Sequence, residues 1–173
     1  MNKLIIVGAS GHGKVVAEIA KLNGYEDIVF LDSNREIKNC FGYQVIGSDA
    51  IVSEVAGDLF IAIGDAEIRK KIMEREKQRF FPVLIHPSSV ISENVTIGEG
   101  TVIMAGAVIN PGTIIGKGCI INTASSVDHD CYVSDYVHVS VGSHLAGTVE
   151  VGEKTWIGAG AIISNNIQIC EEC

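Results

Sequence analysis

The residues best suited to proton transfer in this 173-residue chain stand together as Asp128-His129-Asp130. An imidazole accepts a proton more readily near neutral pH than any other side chain, and a neighbouring carboxylate orients it. An amine or hydroxyl that attacks a carbonyl must lose a proton, and a base of this kind can take it. The flanking residues are aliphatic or small, so the triplet interrupts an otherwise bland pattern. A histidine sitting among surface acids is the alternative reading.

That bland pattern has a period. Every sixth position from 91 to 169 is Ile, Val or Leu. With 47% apolar residues, fourteen consecutive apolar stops arise by chance roughly a few times in 100,000. The residue four places after each stop is small or β-branched nearly throughout, for example Thr101, Ala107, Cys119 and Ser143. A large residue inside and a small one at a corner is the requirement of a three-sided parallel β-helix, with three hexapeptides to a coil and coils stacked at about 4.8 Å. Residues 18 apart then lie above one another, which sets Gly147 one coil beyond His129. A glycine there leaves room for a thioester, and its N–H is a candidate oxyanion donor. Cys119 and Cys131 fall on corner positions and read as buried structural thiols.

The first half reads differently. Residues 3–7 (KLIIV) form a short apolar run ending at Gly8, as a buried parallel strand does. Gly8, Gly11 and Gly13 make a turn, followed by a helical pattern to Gly24. A second strand at 27–31 (DIVFL) ends at Asp32. A third strand is expected at 58–63, ending at Gly64-Asp65, then a charged helix in AEIRKKIMEREK, with a short helix capped by Ser48 or Asp49 before them. Residues 80–85 (FFPVLI) are expected to be a last strand, kept to an edge by Pro82. Alternating strands and helices argue a small parallel α/β sheet. The glycine turn suits phosphate binding at a helix N-terminus, and Asp32 is placed to accept hydrogen bonds from a ribose or base. The pattern is G-x-x-G-x-G, however, and a tight turn without a ligand reads equally well.

Two domains follow, 1–86 and 87–173. Charge is divided unequally between the halves. Residues 1–90 carry 11 of the 13 Lys and Arg, whereas 91–173 carry only Lys117 and Lys154 against nine acids. A net charge of −8 offers no footprint for nucleic acid or an anionic membrane. Mean hydropathy is positive at +0.31, yet no apolar run has the length of a membrane span and no secretory signal opens the chain, so a cytoplasmic protein without membrane insertion is expected. Five cysteines without framework spacing fit reduced thiols.

Together the repeat, GASGHG, FLDS, FIAIGDAEIRKKI and NTASSVDHDC…HVSVGSHLAGTV resemble the hexapeptide-repeat sugar acetyltransferases of bacterial glycan synthesis. That family includes the UDP-4-amino-sugar N-acetyltransferases and the sialic acid O-acetyltransferases. The resemblance covers nearly the whole chain. It implies a Rossmann-like α/β N-terminal domain followed by a left-handed parallel β-helix, and a homotrimer. It implies acetyl-CoA as co-substrate and acetyl transfer to the amine of a UDP-amino-sugar, with O-acetylation of sialic acid as the alternative. His129 becomes the general base and Asp130 the acid that orients it, while Asp128 matches a further acidic position. Gly147 and His138 are assigned to acetyl-CoA; His138 as an interface packing residue is the other reading. Ser10, Gly11 and His12, with Asp32, Gly64 and Asp65, become the pocket for the nucleotide-linked sugar, although the family often has Asn where Asp65 stands and His12 reads equally as a turn residue. Family members continue for another coil or more and close with a basic tail that contacts CoA. The chain ends at Cys173, which leaves a shortened form, or a catalytically silent sugar-nucleotide-binding subunit, as a further expectation.

No metal is expected. His138 and His144 are six apart and so point from adjacent faces, and His129 occupies another phase of the hexapeptide; only a trimer interface could bring them together.

Overall fold

The computed structural model describes residues 3–173, which divide into two compact units, one ending at Leu84 and the other spanning Ile85–Cys173. In the first, β1 (Lys3–Val7), β2 (Asp27–Leu31), β3 (Asn39–Cys40), β4 (Tyr43–Gly47) and β5 (Asp58–Ile61) form one sheet in the order β3-β4-β2-β1-β5. Pairs β1–β2, β1–β5 and β2–β4 are parallel. Leu4, Ile5, Ile6, Phe30, Leu31 and Leu59 are wholly buried, as apolar runs in a central parallel sheet must be. The helices are α1 (Gly11–Leu22) and α2 (Ala66–Arg75), with a 3-10 helix at Asp49–Glu54 where Ser48 was expected to start one. Among the described residues, no helix is long and apolar enough to cross a membrane.

Two features of this unit depart from the sequence reading. Residues 80–83 form no strand: Phe81 and Pro82 are buried, Phe80 O accepts one bond from Leu59 N–H at 3.0 Å, and Pro82 has no N–H with which to continue a ladder. Strand pairing resumes only at Leu84–Ile85, which heads one sheet of the coil. The β3–β4 hairpin was not anticipated. It turns on Phe41 and Gly42, both at positive φ (53° and 84°), the backbone that a two-residue hairpin turn with the right twist demands.

The second unit repeats the pattern strand, corner, strand. Two-residue strands recur every six residues and pair in parallel with the strand 18 residues on, as in Val108↔Val90, Val108↔Ser126 and Ser126↔His144. Three five-stranded sheets result. The aliphatic stops from Ile103 to Ile157 point inward and are at most 5% exposed. Burying each such side chain contributes about 1.5–3 kcal/mol. The small residue expected at the corner lies just inside it: Thr101, Thr113, Cys119 and Ser143 are wholly buried. The residue before it makes the turn, with positive φ at every sixth position from 100 to 172. Cys119 and Cys131 are buried free thiols that donate to Ser134 O (3.1 Å) and Ala146 O (3.2 Å). Burial pushes the Cys131 thiol pKa up.

Candidate active site

The corner after strand Ser126–Val127 carries the Asp-His-Asp triplet. Asp130 takes the left-handed conformation (φ 57°), which aspartate tolerates better than most residues. Neighbouring coils hold the corner on both sides. Asp130 N–H donates to Pro111 O (3.0 Å), Thr113 Oγ1 to Asp128 O (2.6 Å), and Thr148 N–H to His129 O (3.0 Å). Asp128 Oδ1 accepts from Asn110 Nδ2 at 2.7 Å and from His129 N–H at 2.8 Å.

His129 Nδ1 lies 2.9 Å from Asp130 Oδ2. Donation of the Nδ1 proton to that carboxylate leaves Nε2 as the acceptor, the tautomer a general base needs. The hydrogen bond to Asp130, aided by the charges of Asp128 and Asp130, holds the His129 pKa above the usual 6.5. Because the folded pKa is raised, the protonated ring's contribution to stability is complete below the ordinary histidine pKa and is lost as pH rises through the raised one. The bond from Asn110, then that from His129 N–H, holds Asp128 below the usual carboxylate value.

Two glycines make the space for this pair. A methyl group on Gly147 would stand 2.5 Å from His129 Nε2 and 2.6 Å from Cε1. The bare Cα is thus occupied by the imidazole itself, where the sequence reading had reserved the room for a thioester. The Gly147 N–H has no acceptor among the described residues. On the other side a methyl on Gly112 would collide with Asp130 Oδ1, and its φ of 77° independently favours glycine. Sequence reasoning missed Gly112 and Asn110, although each lies 18 residues before a member of the triplet.

The other histidines diverge, as their spacing predicted. His138 projects from a different sheet, with Nε2 3.0 Å from Asn122 Nδ2 and its ring stacked on Trp156 at 5.5 Å and 8°. Trp156 is 66% exposed. His144 Nδ1 lies 2.8 Å from Ser126 Oγ in the sheet that leads to the triplet. Among the described residues, no group of three His, Cys, Asp or Glu side chains is arranged to hold a metal.

In the α/β unit Ser10, Asp32 and Gly64 line one cavity of about 330 Å³, together with Gly8 and Ser33. Gly11, His12 and Asp65 do not line it. Gly11 and His12 open α1, and Asp65 caps α2, its Oδ1 accepting from Ile68 N–H at 2.9 Å. The glycines of the turn separate by role. A methyl on Gly8 would stand 2.6 Å from Ala62 O, and one on Gly13 would strike Gly8 O, so these two permit close packing. Methyls on Gly11 and Gly64 would meet nothing within 4 Å, so packing does not explain either. Asp32 holds the turn, with Oδ2 accepting from Ala9 N–H (2.7 Å) and Oδ1 from Asn34 N–H (2.8 Å). A residue not singled out in the sequence, Arg69, is 1% exposed and donates to Ile63 O (2.7 Å) and Gly64 O (3.1 Å). It fixes the cavity's second loop from beneath.

Residues 3–75 match the family described as PglD N-terminal domain, and residues 82–111 match the bacterial transferase hexapeptide (six repeats). The acetyltransferase domain of PglB from Neisseria gonorrhoeae FA1090, solved in complex with acetyl coenzyme A, superposes with a TM-score of 0.94 at 40% identity, over 99% of this chain and 86% of that one. A perosamine N-acetyltransferase variant from Caulobacter crescentus, in complex with CoA and GDP-perosamine, gives a TM-score of 0.87 at 30% identity, over 97% and 91% of the two chains. The GDP-perosamine N-acetyltransferase of Escherichia coli O157:H7 is 28% identical over 177 residues, covering 96% of this chain and 80% of that protein. The coil is a left-handed β-helix and the protein an acetyltransferase. It belongs to the hexapeptide-repeat sugar N-acetyltransferases whose N-terminal domain is of the PglD type.

Proposed function

We propose that the protein transfers the acetyl group of acetyl-CoA to the amine of a nucleotide-linked amino sugar, with His129 as general base and Asp130 as its orienting acid. The observation that carries this reading is the ring of His129, tied at Nδ1 to Asp130 and seated against Gly147. The base removes a proton from the nitrogen, the nitrogen attacks the thioester carbonyl, and CoA departs as the thiol. The Gly147 N–H, without an acceptor among the described residues, is the donor we assign to the developing oxyanion. His138, stacked on Trp156, is assigned to acetyl-CoA together with Gly147. Sugar-nucleotide binding we attribute to the cavity of Ser10, Asp32 and Gly64, with Gly11, His12 and Asp65 at the helix starts beside it. Gly11 and Gly64 support that assignment, since neither is demanded by packing.

A cytoplasmic homotrimer completes the reading. Exposed apolar side chains on the coil, Trp156 at 66% and Ile162 at 77%, are the kind of surface that subunit association covers.

Thiol release measured against a panel of GDP- and UDP-amino sugars and free sialic acid tests the acceptor. The expected outcome is release with a nucleotide amino sugar and none with sialic acid; the reverse pattern would replace N-acetylation with O-acetylation.

The pH dependence has a defined sign. Only neutral His129 accepts a proton, so kcat/KM is expected to rise with pH through a pKa above the ordinary histidine value of 6.5. An Asp130→Asn variant keeps an acceptor but loses the negative charge that makes the bond to a protonated ring strong, and the rising limb should move to lower pH. A limb that stays in place assigns the titration to another group, such as the acceptor amine.

A further inference from the structure

Asp128 has one carboxylate oxygen engaged and one open. Oδ1 takes both the Asn110 amide and the His129 main-chain N–H, while Oδ2 has no hydrogen-bond partner among the described residues. The side chain is half-buried, anchored from the coil before it, and adjoins the proposed base. Asp130 differs, being exposed and committed through Oδ2 to orienting the imidazole, whereas Asp128 is held in place by Asn110. The coil unit's only lysines, Lys117 and Lys154, are engaged elsewhere, Lys117 with Asp135 and Lys154 with Glu172. The base therefore stands beside a fixed anion that no cation of its own unit neutralises.

We propose that Asp128 docks the acceptor's protonated amine through Oδ2 and so selects amines over hydroxyls. The proposal rests on the amine-acceptor reading above. An aliphatic amine is largely protonated at neutral pH, and a charge-assisted bond to a fixed carboxylate recognises an ammonium far better than a neutral hydroxyl. Both donors to Oδ1 bind the ionised carboxylate, which keeps it charged over the pH range in which His129 is neutral. The docked ammonium gives one proton to His129 and becomes the neutral nucleophile. Its nitrogen forms the C–N bond and the C–S bond breaks. The departing thiolate takes the second nitrogen proton, and His129 returns the first to solvent. Acetyl-CoA and the ammonium thus give amide, thiol and one proton.

Asp128→Asn tests this with little change of shape, since an amide oxygen can still accept from Asn110 and from the His129 N–H. KM for the nucleotide amino sugar is expected to rise about tenfold or more. The inhibition constant of the same nucleotide sugar bearing a hydroxyl in place of the amine, and KM for acetyl-CoA, should stay within about twofold of wild type. A purely structural role for Asp128 would weaken both sugar ligands alike. Asp128→Ala, read by the same ratio, serves if the first variant does not fold. An unchanged amine-to-hydroxyl ratio in a folded, active variant overturns the proposal and leaves the N-acetyltransferase reading intact. A wild-type protein that acetylates no nucleotide amino sugar overturns both.

Discussion

Alanine at position 147 is expected to lower kcat about a hundredfold while leaving the fold in place. The added methyl would stand 2.5 Å from His129 Nε2 and 2.6 Å from Cε1, well inside van der Waals contact. The ring is half exposed and can swing away, so the strain is relieved by moving the base rather than by unfolding the coil. Swinging away breaks the 2.9 Å bond to Asp130 and takes Nε2 off the position from which the proposed base would take the proton. Misplacing a reacting group by about 1 Å costs on the order of a hundredfold in rate. The thermal midpoint should shift by no more than about 2–4 °C, the scale of a 1 kcal/mol change in a chain of this size. Gly158 is the control, because a methyl there meets nothing within 4 Å, and its alanine variant should retain wild-type rates. Wild-type turnover by Gly147→Ala would mean that the ring position in the structure is not the working one.

Removal of the imidazole has an effect at least as large. General base catalysis contributes about a hundredfold to ten-thousandfold, and among the described residues the groups that adjoin the proposed base are carboxylates, weaker bases than an imidazole: Asp128 and Asp130, of which Asp128 is held below the usual carboxylate pKa by its hydrogen bonds. His138 and His144 lie on other strands with partners of their own, Asn122 with Trp156 and Ser126 respectively. His129→Ala should therefore bind acetyl-CoA as wild type does, because it removes a half-exposed side chain and no corner of the coil depends on that ring.

The coil was legible in the sequence because its physics is periodic. One aliphatic per hexapeptide fills a narrow interior, and a fixed period fixes which residues stack, so the neighbours of His129 and the divergence of His138 from His144 follow from counting. Counting does not tell which of two stacked groups occupies the space between them. That is why the room above Gly147 was reserved for a thioester when the imidazole fills it. The same 18-residue spacing sets Asn110 beneath Asp128 and Gly112 beneath Asp130.

The α/β unit was less legible, because its contacts are not periodic. Residues 80–83 have the composition of a strand but lack an N–H at Pro82 and leave the sheet. The hairpin at Phe41-Gly42 depends on two positive φ values that only the second residue advertises. Asp65, assigned above to the sugar-nucleotide site, also caps α2 through Oδ1, a duty its sequence context does not advertise. Arg69 looked like one more charge on a solvated helix, and only the fold shows it buried beneath Gly64.

The role proposed for His129 is that of general base. Its most direct test is thiol release by His129→Ala beside wild type, at saturating acetyl-CoA and nucleotide amino sugar, with acetyl-CoA affinity measured on the same preparations. The expected result is unchanged acetyl-CoA affinity and a turnover lowered about a hundredfold or more. A variant that binds acetyl-CoA normally and retains more than about a tenth of wild-type turnover would contradict it, since that loss falls short of what a general base contributes.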